Sequence, residues 1–277
     1  MLDINFIKDN KKLVKDTVKK RGIDTEKADI DAILKFEKIR REKQQELDEV
    51  NRERNLAAKA RLFEKGRGLK AKAQDLGAEI RAAEKLIFKY WQWVPNVLSP
   101  KVPEGKSEDD NKEIRKWGKV PEFKFVPKSH EELGKSLEIL DIERGAKVAG
   151  SGFYYFKGLG ASLAWGLYNF ALDYLKKQGF EQVMVPLFTR EPALFGTGYF
   201  PFIGEDSYKL ENEDLYAIGT SEQPLVAIHQ NEVLEEANLP YQYTSFSACF
   251  RQEAGSYGKD VKGIFRVHQF HKVEQIV

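Results

Sequence analysis

Cysteine is almost absent from this chain of 277 residues: Cys249 is its single one. One thiol cannot form an internal disulfide or a multi-cysteine zinc site. Its neighbours Phe246, Ala248 and Phe250 predict a small core residue in a protein kept reduced. No run approaches the roughly 20 apolar residues that a membrane-spanning helix needs. The first residues, MLDINFIKDNKK, carry acids and no hydrophobic core, unlike a signal or transit peptide. The expectation is a cytoplasmic protein with no membrane partner. The phosphate-binding patterns GxxxxGK[ST] and GxGxxG are both missing, which argues against P-loop and dinucleotide-binding folds. Net charge is only +2, so the total says little about partners, whereas its distribution says more.

Proline is missing between Asp29 and Tyr90, where Ala, Glu, Lys, Arg, Gln and Leu dominate. These are the strong helix formers. Leu69, Ala73, Leu76, Ile80, Ala83 and Ile87 step by 4, 3, 4, 3, 4, which is a heptad seam. Ile33, Phe36, Leu47, Val50 and Ala57 keep the same register, interrupted by Arg40, Lys43, Arg54 and Arg61. Gly66 and Gly68 lie between the two seams and are expected to break the helix and reverse the chain. Two antiparallel helices would then form an arm about 40 Å long, preceded by a short helical cap over residues 1 to about 27. Residues 59–72 hold Lys59, Arg61, Lys65, Arg67, Lys70 and Lys72 against one acid, Glu64. Such a tip is either a solvated turn or an electrostatic footprint for nucleic acid. Phe63 is its sole aromatic, so backbone and shape contacts are expected rather than base reading.

The domains predicted are a helical arm over 1–95, a proline-bearing linker over 96–128, and a mixed domain over 129–277. Within the last, residues 158–179 read as an amphipathic helix and 181–188 as a strand broken by Pro186. Residues 208–220 read as a hairpin with an acidic turn, and Leu225 to Ala237 as a helix. Two strands close the chain. Helices and strands do not alternate regularly, so the fold class is α+β: a helical hairpin plus a mainly antiparallel sheet with flanking helices.

The closing hairpin carries the chemistry. Arg251 and Glu253 are two residues apart, as strand neighbours on one face would be. Arg266, His268, Phe270, Lys272 and Glu274 alternate on the facing strand. Arginine forks match phosphate oxygens, an aromatic ring stacks on a base, and a carboxylate holds an ammonium. The same residues would also suit an exposed, salt-bridged hairpin. His268 and His271 fit core or hydrogen-bonding roles better than metal ligation, and Ser221 a positional role better than a nucleophilic one.

FRQEAG followed by RVHQFHKVE resembles motif 2 of the class II aminoacyl-tRNA synthetases, in the form of the seryl-tRNA synthetase family. GTSEQPL resembles that family's serine-binding TxE loop, and residues 152–186 resemble the lead-in to motif 1 and motif 1 itself. The linker and the arm also resemble family segments, the arm its tRNA-binding domain. The resemblance spans nearly all of residues 1–277 and implies a ligase that joins L-serine to tRNA(Ser), and to tRNA(Sec), through seryl-adenylate. Carried over by position, Thr220, Ser221, Glu222, Arg251 and Glu274 would bind serine. Arg251 would hold the α-phosphate of ATP and be the catalytic residue. Gln252, Glu253, Val267, His268, Gln269 and Phe270 would line the ATP site, with Phe270 stacked on adenine. The loop 255–263 would cover the acceptor end of tRNA, and the tip cations Lys59 to Lys72 would touch tRNA. Motif 1 implies a homodimer. Mg²⁺ is implied with ATP, but its family ligand lies downstream of the residues matched, as does motif 3, so no metal ligand is assignable and no zinc is expected. A C-terminally truncated fragment of a longer enzyme is the expectation. A non-catalytic tRNA-binding paralogue, or a ligase for a non-tRNA acceptor, are the other readings.

Overall fold

The structure, a computed structural model, describes residues 2–105, 107–253 and 263–277. The expectation for the loop 255–263 therefore lies outside the described residues, Gly263 excepted. The chain divides into two compact units, Met1–Trp117 and Gly118–Val277.

The first unit begins with two short helices, α1 (Ile4–Asp9) and α2 (Lys11–Lys20). The long helices α3 (Ile30–Lys59) and α4 (Phe63–Trp91) follow as an antiparallel pair. Asp3 and Asp29 cap α1 and α3 by accepting backbone N–H bonds. The heptad seam is the buried one: Ile33, Val50 and Ala57 on α3 face Leu76, Ile80, Ala83 and Ile87 on α4. Two of its charged interruptions, Arg40 and Lys43, are half-buried and paired. Arg40 chelates Glu37 through Nε and Nη2 (2.7 and 3.0 Å), and Lys43 reaches Glu79 of α4 at 3.1 Å. At the base, Ile7, Val14, Val18, Ile30, Ile33, Ile87 and Val94 form one core.

The reversal does not fall at Gly66 and Gly68, as the sequence led us to expect. Both lie inside the first two turns of α4. The chain turns at residues 60–62, where Arg61 adopts a left-handed φ of 55°. Glycine costs only about 1 kcal/mol in a helix interior, which the remaining length of α4 absorbs.

The second unit is α+β. Helix α5 (His130–Ser136), capped by a Ser129–Glu132 box, leads to strand β1 (Leu140–Asp141) and helix α6 (Ile142–Ala149). Strand β2 (Tyr155–Phe156) pairs antiparallel with β1. Helix α7 (Leu159–Lys177) follows, then β3 (Glu181–Gln182), β4 (Phe188–Thr189) and helix α8 (Glu191–Gly196). Strand β5 (Tyr216–Ala217) pairs with β4 on one side and with the segment 208–210 on the other, the latter through a turn at Asn212, φ 65°. Helix α9 spans only Glu222–Val226. The helix expected over Leu225–Ala237 is not continuous: a 3-10 turn ends at His229, and Asn231 takes a left-handed φ of 64°.

The central strands β6 (Tyr243–Phe250) and β7 (Gln269–Ile276) are antiparallel, and β3 adds to β6 in parallel, the one parallel pairing among the described strands. Their register pairs Cys249 with Phe270, Ser247 with Lys272 and Ser245 with Glu274. Strand alternation therefore gives the sheet two distinct faces. One carries Phe246 and His271, stacked on each other and against Trp165 and Tyr168 of α7. The other carries Ser245, Ser247, Cys249, Phe270, Lys272 and Glu274.

Candidate active site

The second face gathers the chemistry. Phe250 donates its N–H to Ile218 O (2.8 Å), which lays the loop 218–221 beside the end of β6. That loop brings Thr220 to β7. Thr220 is 1% exposed, and its hydroxyl donates to Glu274 Oε2 at 2.7 Å while accepting from Glu222 N–H at 3.2 Å. Lys272 Nζ also donates to Thr220 Oγ1, at 3.0 Å, and is ion-paired with Glu274. A threonine, a lysine and a glutamate from two distant segments thus form one polar cluster.

Arg251 lies just beyond β6, and its guanidinium sits over the Phe270 ring. It is anchored from the other side: Nε donates to Gly219 O (3.2 Å) and Nη2 to the Tyr199 hydroxyl (3.4 Å). Burial pushes the Tyr199 phenol above its ordinary pKa, with the nearby Arg251 charge opposing this. Tyr199 thus stays a neutral donor and acceptor at neutral pH. Gly219 has a positional reason: a Cβ there would meet the Tyr199 ring and hydroxyl at 3.2–3.3 Å.

The remaining residues lie around the end of β6, not all on the same face. Arg251 N–H donates to His268 O, and His268 N–H to Gly152 O, both 3.0 Å. Gly152 is held at φ +82° with the His268 ring where a Cβ would point, so no larger residue fits without displacement. Val267 is buried beside it. Gln269 opens β7 on the opposite face from Phe270. Glu253 does not continue the strand alternation that its spacing from Arg251 suggested. The strand ends at Phe250, Glu253 takes a left-handed φ of 51°, and its carboxylate meets Arg266 at 3.3 Å. Gln252 turns its amide to Ser207 O (2.9 Å). Ser221 is fully buried with its hydroxyl unpartnered, as are Gln223 Nε2 and Ser245 Oγ.

Sequence reasoning placed Lys272 on the alternating face but gave it no role, and it did not name Tyr199. The period-two spacing of Phe270, Lys272 and Glu274 held the signal for the lysine; no local pattern marked Tyr199, which arrives from the loop after α8. Cys249 is fully buried on this face, and burial raises its thiol pKa, consistent with a packing role. A cavity of about 450 Å³ lies on the opposite face, lined by Trp165, Tyr168, Phe153 and His271. Its lining offers no carboxylate or cation, so the polar cluster is the stronger candidate for chemistry.

In the first unit, Lys59, Arg61, Lys65, Arg67, Lys70 and Lys72 are all exposed around the arm tip. Arg67 is held loosely by Glu64 (3.4 Å) and Lys65 by Glu53 (3.9 Å). Phe63 projects there, 77% exposed.

The fold and the arginine-bearing hairpin place the second unit among the class II aminoacyl-tRNA synthetases: residues 207–277 match the tRNA synthetase class II core domain (G, H, P, S and T). Residues 1–98 match the seryl-tRNA synthetase N-terminal domain. A serine–tRNA ligase of Chloroherpeton thalassium is 41% identical over all of this chain and 68% of its own length. One from Dictyoglomus turgidum is 38% identical over 99% of this chain and 67% of its own. The crystal structure of Pyrococcus horikoshii seryl-tRNA synthetase complexed with ATP superposes with a TM-score of 0.84 at 39% identity, covering 99% of this chain and 69% of that one. The chain belongs to the seryl-tRNA synthetase family, and it spans about two thirds of the length of these relatives.

Proposed function

We propose that this protein carries the serine- and ATP-binding half-site of a serine–tRNA ligase, which activates L-serine as seryl-adenylate and transfers it to tRNA(Ser) and tRNA(Sec) in the cytoplasm. The observation that carries the reading is the junction of Arg251, Thr220 and Glu274 on one sheet face, beside Phe270. The first step joins two anions: the serine carboxylate attacks the α-phosphorus and pyrophosphate leaves. No side-chain base is needed, so the rate gain comes from alignment and charge screening. Arg251, already oriented by Gly219 and Tyr199, binds the α-phosphate and the carboxylate. Thr220 and Glu274 take the serine ammonium and Glu222 closes that pocket. Because Arg251 covers one face of Phe270, adenine stacks on the other face of the ring or displaces the guanidinium. Gln252, Glu253, Val267 and His268 form the rim of that nucleotide site, and Gln269, whose side chain lies on the opposite sheet face, would contribute its backbone.

Magnesium, when bound with ATP, supplies further screening of the phosphates. No group of three or more His, Cys, Asp or Glu side chains converges among the described residues, so no ligand is assigned to it. The arm tip contacts tRNA phosphates through Lys59, Arg61, Lys65, Arg67, Lys70 and Lys72. A homodimer through α7 accounts for the exposure of Leu159, Leu163, Leu167, Phe170 and Tyr174 on that helix. Serine-dependent exchange of labelled pyrophosphate into ATP, with alanine and threonine as controls, tests the reaction. Binding of tRNA without exchange would point instead to a non-catalytic tRNA-binding protein.

A further inference from the structure

The Thr220 hydroxyl has no bonding capacity left. A hydroxyl offers one proton and two lone pairs. The proton goes to Glu274 Oε2 (2.7 Å), and the lone pairs receive Glu222 N–H (3.2 Å) and Lys272 Nζ (3.0 Å). The same ammonium of Lys272 is ion-paired with Glu274. A primary ammonium, held between a hydroxyl and a carboxylate, therefore already occupies the two groups that the proposed function assigns to the ammonium of serine.

We propose that Lys272 is a placeholder for the substrate ammonium and sets the affinity and selectivity of the serine pocket. With the pocket empty, its Nζ keeps Glu274 paired and Thr220 oriented, which spares a largely buried carboxylate the cost of standing alone. Serine enters by exchanging one ammonium for another. The released Lys272 side chain, only 35% exposed and on the same strand face as Phe270, stays within the site as a cation. A ligand without an ammonium cannot make this exchange, because displacing Lys272 would leave Glu274 unpaired. The exchange also lowers the apparent serine affinity by the fraction of molecules in which Lys272 has vacated the pocket.

This inference rests on the reading of Thr220 and Glu274 as serine ligands, and the test separates the two. L-Serine and 3-hydroxypropanoate, which is serine without its ammonium, are titrated calorimetrically into the wild type, Lys272→Met and Lys272→Arg. Lys272→Met preserves length and removes the charge, and serine is expected to bind it about three- to five-fold more tightly, the scale of a partly exposed ion pair. Lys272→Arg keeps a cation and is expected to stay near the wild-type value. 3-Hydroxypropanoate gains nothing in either variant. A structural role for Lys272 predicts the opposite sign, weaker serine binding in Lys272→Met, and that result, or equal affinity, overturns the placeholder. Should Lys272→Met fail to fold, serine binding to Lys272→Gln with retained circular dichroism decides by the same sign. Serine binding to none of the proteins removes the serine reading itself, and the placeholder with it.

Discussion

The guanidinium carbon of Arg251 lies 5.1 Å from the centroid of the Phe270 ring, and the two side chains are diagonal neighbours across the β6–β7 pair. This contact fixes the arginine over the face where the phosphate chemistry is proposed, and it is worth about 0.5–1 kcal/mol or more where water is excluded. Lysine cannot reproduce it together with the bonds to Gly219 and Tyr199. Arg251→Lys is expected to lower the rate of adenylate formation about 100-fold or more, the usual cost of losing one preorganised donor to developing charge. Pre-steady-state measurement of pyrophosphate release checks this, and a rate within a few-fold of wild type would remove Arg251 from the central role.

Thr220 and Glu274 make the second prediction. Thr220→Val removes the donor to Glu274 while keeping the shape, leaving Glu274 Oε2 to Lys272 alone and the Glu222 N–H without its acceptor. It is expected to destabilise the protein by about 1–2 kcal/mol and to weaken serine binding about tenfold. Chemical denaturation and serine titration measure the two effects separately.

At the arm tip, reversing Lys65, Arg67 and Lys70 to glutamate is expected to weaken tRNA(Ser) binding by about tenfold or more at low salt and to flatten the dependence of affinity on salt. These side chains are exposed, so thermal stability should be nearly unchanged. Unchanged affinity would take the tip out of the binding surface.

Glu37 gives a pH-dependent prediction. Its side chain is 8% exposed, and hydrogen bonds from Arg40, with a further contribution from Arg41, hold its pKa below the ordinary carboxylate value against the opposing effect of burial. The unfolded chain therefore binds the proton more readily. The stabilisation is present above the unfolded pKa and is lost as pH falls through the folded one. Glu37→Gln should cost about 1–2 kcal/mol near neutral pH, and the difference from wild type should vanish in acid. Thermal melts at a series of pH values report it.

Much of the arm is written in the sequence, because a seven-residue repeat maps directly onto burial: five of its apolar positions on the second helix seam run from Ala73 to Ile87, and Leu76, Ile80, Ala83 and Ile87 are buried. The position of the reversal was not legible. Glycine marks where a chain can turn, whereas Arg61 shows that a non-glycine residue takes the left-handed turn when the packing on both sides requires it. The β6–β7 hairpin followed from alternation, but the face presented by Glu253 did not, since alternation ends with the strand at Phe250. Residue types named Arg251 and Glu274 as candidates, and the family resemblance of GTSEQPL added Thr220. Only the register and the 218–221 loop reveal that Lys272 joins the last two and that Tyr199 holds the first, because both relationships cross more than 50 residues of chain.

The most direct test of the account is calorimetric binding of a non-hydrolysable seryl-adenylate analogue to this chain, beside its alanyl and threonyl counterparts and the Arg251→Ala variant. The account predicts that the seryl analogue binds, that the alanyl one binds far more weakly because it leaves buried polar groups unpaired, that threonyl is excluded by size, and that Arg251→Ala abolishes the signal. Equal binding of all three, or binding indifferent to Arg251, would contradict it.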